Sequence, residues 1–146
     1  MEENNVTVVI RSLRRLEGES GSMTQRVEGC LSREGEDYVL TYREGEDSGL
    51  GQTRTTLRLE PGQATLTRSG EFPSRMVFQE GKPHTSLYGT PYGKLPMTIH
   101  TRRLEGKLSE AGGSVYLVYQ IQLGGTDAGE TRLRLTVNTK ENSYDR

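Results

Sequence analysis

Apolar and polar residues alternate along most of this 146-residue chain, and short clusters rich in Gly, Asn, Asp and Pro interrupt the alternation. This spacing of turn signals is typical of β-strands joined by tight connections. The pattern predicts about ten strands and no helical stretch longer than a turn or two. The predicted strands are Val6–Leu13, Gln25–Arg33, Asp37–Arg43, Thr53–Leu59, Gln63–Arg68, Arg75–Gln79, Pro83–Tyr88, Leu95–Leu108, Val115–Leu123 and Glu130–Val137.

Two of these strands assign the inner and outer faces most clearly. Every odd-numbered position of residues 115–123 is apolar or aromatic. In residues 131–137, leucine and valine occupy one face, whereas Arg132 and Arg134 occupy the other. Because successive strand side chains point to opposite sides of a sheet, we expect the odd-numbered positions to face the core.

Short connections make consecutive strands antiparallel neighbours. A meander of eight to ten strands hides its edges most simply by closing into a barrel. We therefore predict an all-β fold, a single antiparallel meander barrel of about eight to ten strands. Residues 1–146 form one domain in this prediction, with the core at about 6–138 and a frayed tail at 139–146.

The overall composition fits such a barrel. Hydrophobic residues make up 31% of the chain, and the mean hydropathy is −0.72. The 19 basic and 20 acidic residues nearly cancel, which leaves a formal net charge of −1. Low hydrophobicity without self-repulsion favours a fold in which only half of each strand is apolar.

Several classes of protein are excluded by the same sequence. No apolar run approaches 18 residues, so we expect no membrane span. The acidic start Met1–Asn5 lacks the basic and apolar regions of a signal peptide. The single cysteine, Cys30, forms no intramolecular disulfide and no thiolate zinc site, which favours a reducing cytoplasm. The near-neutral net charge argues against a dedicated nucleic-acid surface.

Arg68 is the exception among the predicted inward positions. It shares a strand face with Ala64 and Leu66, so its guanidinium group is predicted to point inward. A buried charge is costly unless it is paired. Arg68 is therefore either an anchor for an anion or carboxylate at a barrel mouth, or a structural tie to backbone carbonyls or a glutamate.

The segment Tyr88–Leu95 contains the densest set of unusual residues. The run Thr90-Pro91-Tyr92-Gly93 predicts a turn with Pro at its second position. In one interpretation Tyr88, Thr90 and Tyr92 line a ligand entrance. In the other, the aromatic rings cap the core, and Pro91 and Gly93 serve the backbone geometry of the turn.

No catalytic or metal-binding constellation is recognisable. The two histidines, His84 and His100, lie on separate predicted strands, and Cys30 lies on a predicted outer face with no His or Lys beside it. The acidic runs at 34–37 and 44–47 lack the ligand spacing of a calcium loop. We therefore expect no cofactor, no metal and no enzymatic activity.

Two outward basic stripes remain. One consists of Arg54 and Arg58, and the other of Arg132 and Arg134. On adjacent strands they would form a patch for an acidic partner or nucleic acid. Otherwise they are charged outer faces that keep the strands soluble.

A family resemblance rests on the strand order and on residues mainly in the middle third of the chain. These residues are Thr65–Gly70, Met76–Gly81, Tyr88–Leu95, Val115–Tyr119, Thr101 and Leu104. Together they resemble the bacterial YwiB-like family, a domain of unknown function similar to calycin or lipocalin-like barrels. The resemblance covers Val6–Val137, and it implies a fold and a small bacterial cytoplasmic protein, without an assigned activity.

Site residues follow from the resemblance only in part. Arg68, Tyr88, Thr90, Pro91 and Gly93 match the family's pattern, which does not say which of them are functional. The chain departs from that pattern at position 89, where a glycine stands in place of a bulkier polar residue.

Two hypotheses lead. The first is a small-ligand-binding barrel for an apolar or amphipathic molecule whose polar end meets Arg68 and the Tyr88–Tyr92 turn at the open mouth. The alternative is a filled barrel that acts as a protein-interaction module or homodimer. An enzyme ranks last, because no pair of titratable groups converges in the predicted fold.

Overall fold

The structure is a computed structural model that describes residues 4–43, 53–70 and 73–140. The acidic start Met1–Glu3, the acidic run 44–47 and tail residues 141–146 lie outside the described residues. The described strands are β1 (Val6–Leu16), β2 (Glu19–Glu34), β3 (Asp37–Arg43), β4 (Arg54–Glu60), β5 (Gln63–Ser69), β6 (Ser74–Phe78), β7 (His84–Thr90), β8 (Gly93–Ser109), β9 (Gly112–Leu123) and β10 (Thr126–Thr139).

The ten strands form one antiparallel sheet in the order β6-β5-β4-β3-β2-β1-β10-β9-β8-β7. The first and last strands of the chain are hydrogen-bonded neighbours, with Val8 opposite Val137. At the two ends of the sheet, β6 and β7 approach each other. The Ser86 hydroxyl donates a hydrogen bond to the Arg75 carbonyl at 2.5 Å, and the Gly89 N–H donates to the Pro73 carbonyl at 3.4 Å. The sheet is therefore a nearly closed barrel whose seam lies between β6 and β7.

The predicted all-β meander barrel is confirmed, and β1 and β2 are longer than predicted. Strand β1 continues past Leu13 to Leu16, and β2 begins before Gln25, at Glu19. The turn between them has positive φ at Glu17 (53°) and Gly18 (81°). Sequence alternation misses this extension because residues 14–24 contain only two apolar side chains, Leu16 and Met23, which are too few to show the period. Among the described residues, no helix is long and apolar enough to cross a membrane.

The core fills the middle of the barrel. Its residues alternate along the strands, as the periodicity predicts, and each large aliphatic or aromatic side chain contributes about 1.5–3 kcal/mol on full burial. The largest fully buried side chains include Phe78, Leu40, Leu57, Leu66, Ile99, Leu117 and Leu135.

The antiparallel topology gives the barrel two different ends. One end carries the β1–β2, β7–β8 and β9–β10 turns, and Arg68 lies at this end because it is close to the C-terminal end of β5. The other end carries the β2–β3, β4–β5 and β8–β9 turns. We call the first the Arg68 end.

Candidate functional site

A cavity of about 260 Å³ opens into the barrel at the Arg68 end. Strands from almost the whole circumference contribute to it, because alternate residues of each strand point inward. Its polar lining consists of Ser12, Arg14, Gln25, Tyr42, Arg68, Ser74, Tyr88, Tyr119 and Thr131. Its apolar lining consists of Ile10, Met23, Met76, Met97, Ile121, Leu123 and Leu133.

Arg68 faces this cavity from β5. It stands opposite Thr55 on β4 and Ser74 on β6. Ala64 and Leu66, which share its strand face, are 0% and 1% exposed. The inward orientation that strand parity predicts is therefore present. The half-buried Arg68 side chain, with its Nε shielded from solvent, lies where the apolar core gives way to the cavity.

Arg14 brings a second guanidinium group to the same cavity. It lies on β1 opposite Thr131 of β10, and it lines the cavity although much of its side chain is exposed. Sequence reasoning missed this residue. Its position in the strand could have shown it, because Arg14 has the same even numbering on β1 as the inward residues Val8 and Ile10.

Tyr119 lies where both arginines act on it. Burial raises the pKa of its phenol above the ordinary value of 10.0, while the positive charges of Arg68 and Arg14 oppose that rise. Positive charge favours the phenolate, but burial is the larger effect and keeps the pKa raised. The phenol therefore stays neutral near pH 7 and can donate a hydrogen bond within the cavity.

All three methionines that follow Met1 in the chain line this one cavity. Met23, Met76 and Met97 come from β2, β6 and β8, which are not neighbours in the sheet. Methionine is unbranched and polarizable, and it adapts to apolar groups of different shape. The sequence contained this signal too, as three methionines at inward positions, but no single strand displays it.

The β7–β8 turn contributes less than predicted. Tyr88 lines the cavity, but Thr90 and Tyr92 do not. The Tyr92 side chain is 98% exposed, because the turn extends beyond the barrel. The Thr90 hydroxyl donates to the Gly93 carbonyl at 2.6 Å and accepts from the Tyr92 N–H at 3.1 Å. Thr90 thus stabilises the turn.

Pro91 and Gly93, expected to serve the backbone geometry of the turn, both lie at the β7–β8 connection. Pro91 is exposed in the turn. Gly93 has φ of 117°, in the region that favours glycine. Gly89, the departure from the family pattern, donates its N–H across the seam to Pro73.

The two outward basic stripes do not merge. Arg54 and Arg58 lie on β4, which is separated from β10 by three strands. Arg58 is paired with Glu34 at 2.9 Å and Asp37 at 2.8 Å. Hydrogen bonds to these carboxylates raise its pKa.

The histidines and the cysteine lie apart from the cavity. His84 Nε2 lies 3.1 Å from Gln79 Oε1, and His100 is exposed on β8. Cys30 is half-buried on β2. Within the part of the chain that the structure describes, no three His, Cys, Asp or Glu side chains form a metal site.

The cavity combines cationic groups and phenols with an adaptable apolar wall. Arginine is a strong hydrogen-bond partner for carboxylate and phosphate. Among the described residues that line the cavity, none is Asp or Glu. The arrangement suits a small molecule that is anionic at one end and apolar elsewhere.

Comparisons with known proteins agree with the barrel fold. The chain is 23% identical over 123 residues to the uncharacterized beta-barrel protein YwiB of Bacillus subtilis (strain 168), covering 84% of this chain and 85% of that protein. It superposes on the crystal structure of ywiB protein from Bacillus subtilis with a TM-score of 0.83 and 20% identity, covering 93% of this chain and 92% of that chain. Residues 8–135 match the family model described as Domain of unknown function (DUF1934). The chain therefore belongs to the DUF1934 family.

Proposed function

We propose that this protein binds a small amphipathic anion in the cavity at the Arg68 end. The observation that supports this most directly is the inward Arg68, which shares one cavity with a second arginine, Arg14, and with methionine and aliphatic side chains. We propose further that the barrel binds its ligand inside, as calycin barrels do. We also propose a cytoplasmic location, because the single cysteine forms no intramolecular disulfide.

The polar end of the ligand lies against Arg68, Arg14 and Tyr119. Each guanidinium offers several N–H donors in a planar fork that matches a carboxylate or phosphate. Tyr119 adds a neutral O–H donor, and Tyr88 adds another at the cavity wall. Because Arg68 is only half-buried, solvent reaches one side of the anion and lowers the cost of its desolvation.

The apolar part of the ligand lies against the methionines. The cavity volume of about 260 Å³ is near the lower end of the usual range for small-molecule sites, about 300–1,000 Å³. A groove of about 730 Å³ adjoins it and shares Ser12, Arg14 and Met23 with its lining. Leu16 and Ala128 also line this groove. A longer apolar tail therefore has a path along the β1–β2 extension.

Calorimetric titration with octanoate tests the proposal. Octanoate carries one carboxylate and a short apolar chain, and octylammonium and octanol match its chain with a positive or neutral end. We expect octanoate to bind most tightly. Arg68→Gln removes charge-assisted hydrogen bonds worth about 1.5–3 kcal/mol, so the affinity for octanoate falls by about tenfold to a hundredfold.

Arg75→Gln is the matched control. Arg75 lies on the neighbouring strand β6 and is exposed on the outer face, so its loss leaves octanoate affinity unchanged. The proposal is wrong if octylammonium binds as tightly as octanoate, or if Arg68→Gln and Arg75→Gln bind octanoate equally well. Native mass spectrometry of protein purified from its own cells then identifies the natural ligand by its mass.

A further inference from the structure

Five arginines gather on the outer surface of strands β2, β1 and β10. In the β1–β10 register, Arg11 lies directly opposite Arg134, and Arg132 is two residues away on the same face. Each of the five is exposed. This basic face consists of Arg11, Arg15, Arg26, Arg132 and Arg134.

An aromatic ring adjoins the basic face on β9. The guanidinium carbon of Arg134 lies 4.4 Å from the centroid of the Tyr116 ring, and that of Arg103 lies 6.0 Å from it. Cation–π attraction of this kind orients arginine side chains. Arg103 itself is ion-paired with Glu105, so the basic face ends at Arg134 and the Tyr116 ring.

One acidic side chain, Glu130, borders this face. It lies 3.7 Å from Arg132, stands opposite Arg15 in the β1–β10 register and pairs with Arg102 at 2.7 Å. No ion pair among the described residues involves Arg11, Arg15, Arg26 or Arg134. Like charges directly opposite each other destabilise a sheet, and solubility is served better by interspersed signs. Solubility alone therefore does not account for Arg11 opposite Arg134.

We infer that the basic face binds the phosphate backbone of single-stranded nucleic acid. It contains arginine and no lysine, and the arginine fork fits phosphate oxygens. Tyr116 adds an aromatic ring at the edge of the face, and stacking on aromatic rings is typical of single-strand binding. The inference goes beyond the proposed function, because these side chains lie on the outside of the barrel.

Charge distribution supports a single binding face. Glu36, Glu60 and Glu80 line a groove at the opposite end of the barrel from Arg68, and the formal net charge is −1. A polyanion is therefore disfavoured at that end of the barrel. The net charge alone does not show that the acidic groove and the basic face lie on different parts of the barrel.

Fluorescence anisotropy with a labelled 20-nucleotide oligothymidylate tests the inference. We expect binding at 50 mM NaCl that weakens steeply as salt is added. The double variant Arg11→Gln/Arg134→Gln should bind at least about tenfold more weakly, and the slope of log affinity against log salt should fall by about 1 for each phosphate contact removed.

The control variant is Arg54→Gln/Arg75→Gln, which removes the same charge from exposed positions on β4 and β6. It should bind the oligonucleotide like the unmodified protein, and circular dichroism melting checks that both variants fold. The inference is overturned by absence of binding at 50 mM NaCl, or by equal losses in the two variants. Binding to phosphatidylserine vesicles without binding to the oligonucleotide also overturns it.

Discussion

Phe78 and Tyr119 meet edge to face inside the barrel, with ring centroids 4.7 Å apart and ring planes at 61°. Phe78 belongs to β6 and Tyr119 to β9, which lie on opposite sides of the seam. Phe78 is fully buried, whereas Tyr119 also lines the cavity. The pair therefore fastens the seam and separates the core from the cavity.

Removal of the Phe78 ring should destabilise the protein strongly. Phe78→Ala leaves a void beneath Tyr119 and is expected to lower the free energy of unfolding by about 3–5 kcal/mol. Urea denaturation measures this change. Leu87→Ala on the adjoining strand β7 is the control, because Leu87 is 59% exposed, and its effect should stay within about 0.5 kcal/mol. Equal losses would contradict the role given to Phe78.

Tyr119 should make stability depend on alkaline pH. Burial raises the pKa of its phenol in the folded state above 10.0. Between the unfolded and folded pKa values the folded state holds the proton more tightly, so this stabilisation is complete below about pH 10 and is lost as pH rises through the folded pKa. Urea unfolding from pH 8 to pH 11.5 should show a steeper decline for the unmodified protein than for Tyr119→Phe. Parallel pH profiles would argue against a buried phenol.

Arg14 and Arg15 are sequence neighbours with opposite orientations. Arg14 lines the cavity, and Arg15 lies on the outer basic face. Arg14→Gln should weaken octanoate binding by about tenfold, since a charge-assisted hydrogen bond contributes at least about 1.5 kcal/mol. Arg15→Gln should leave it unchanged. Calorimetry that gave the reverse order would refute the assignment of Arg14 to the site.

Thr90 and Tyr92 should affect the turn and leave the cavity unchanged. Thr90→Val removes two hydrogen bonds in an exposed turn and is expected to lower the free energy of unfolding by about 1 kcal/mol. Neither Thr90→Val nor Tyr92→Ala should alter octanoate affinity in a calorimetric titration. A loss of affinity in Tyr92→Ala would restore the mouth-lining role that the sequence suggested.

Period-two alternation was sufficient to predict the strands, because each strand buries one face. It failed for residues 14–24, where Leu16 and Met23 are the only apolar side chains and backbone pairing continues the β1–β2 hairpin. Arg68 was recognisable because its neighbours Ala64 and Leu66 are apolar. Tyr92 lies outside the cavity lining, and local sequence does not give the direction in which a hairpin tip extends.

Features assembled from distant strands were beyond local reasoning. The three methionines of the cavity become one wall only when β2, β6 and β8 curve around the same space. Arg11 and Arg134 are far apart in sequence and become neighbours only through the pairing of β1 with β10. The alternation along each strand showed which side chains point outward, but it did not show which residues of β1 pair with which residues of β10.

Nuclear magnetic resonance of the methionine methyl groups tests the central claim most directly. In protein labelled with ¹³C at the methionine ε-methyl, Met23, Met76 and Met97 report on the cavity, and single Met→Leu variants assign their signals. Titration with octanoate should shift all three signals together, with one saturation curve that Arg68→Gln moves to higher concentration. If all three signals stay in place while octanoate saturates the protein, the ligand binds elsewhere and the cavity is not the site.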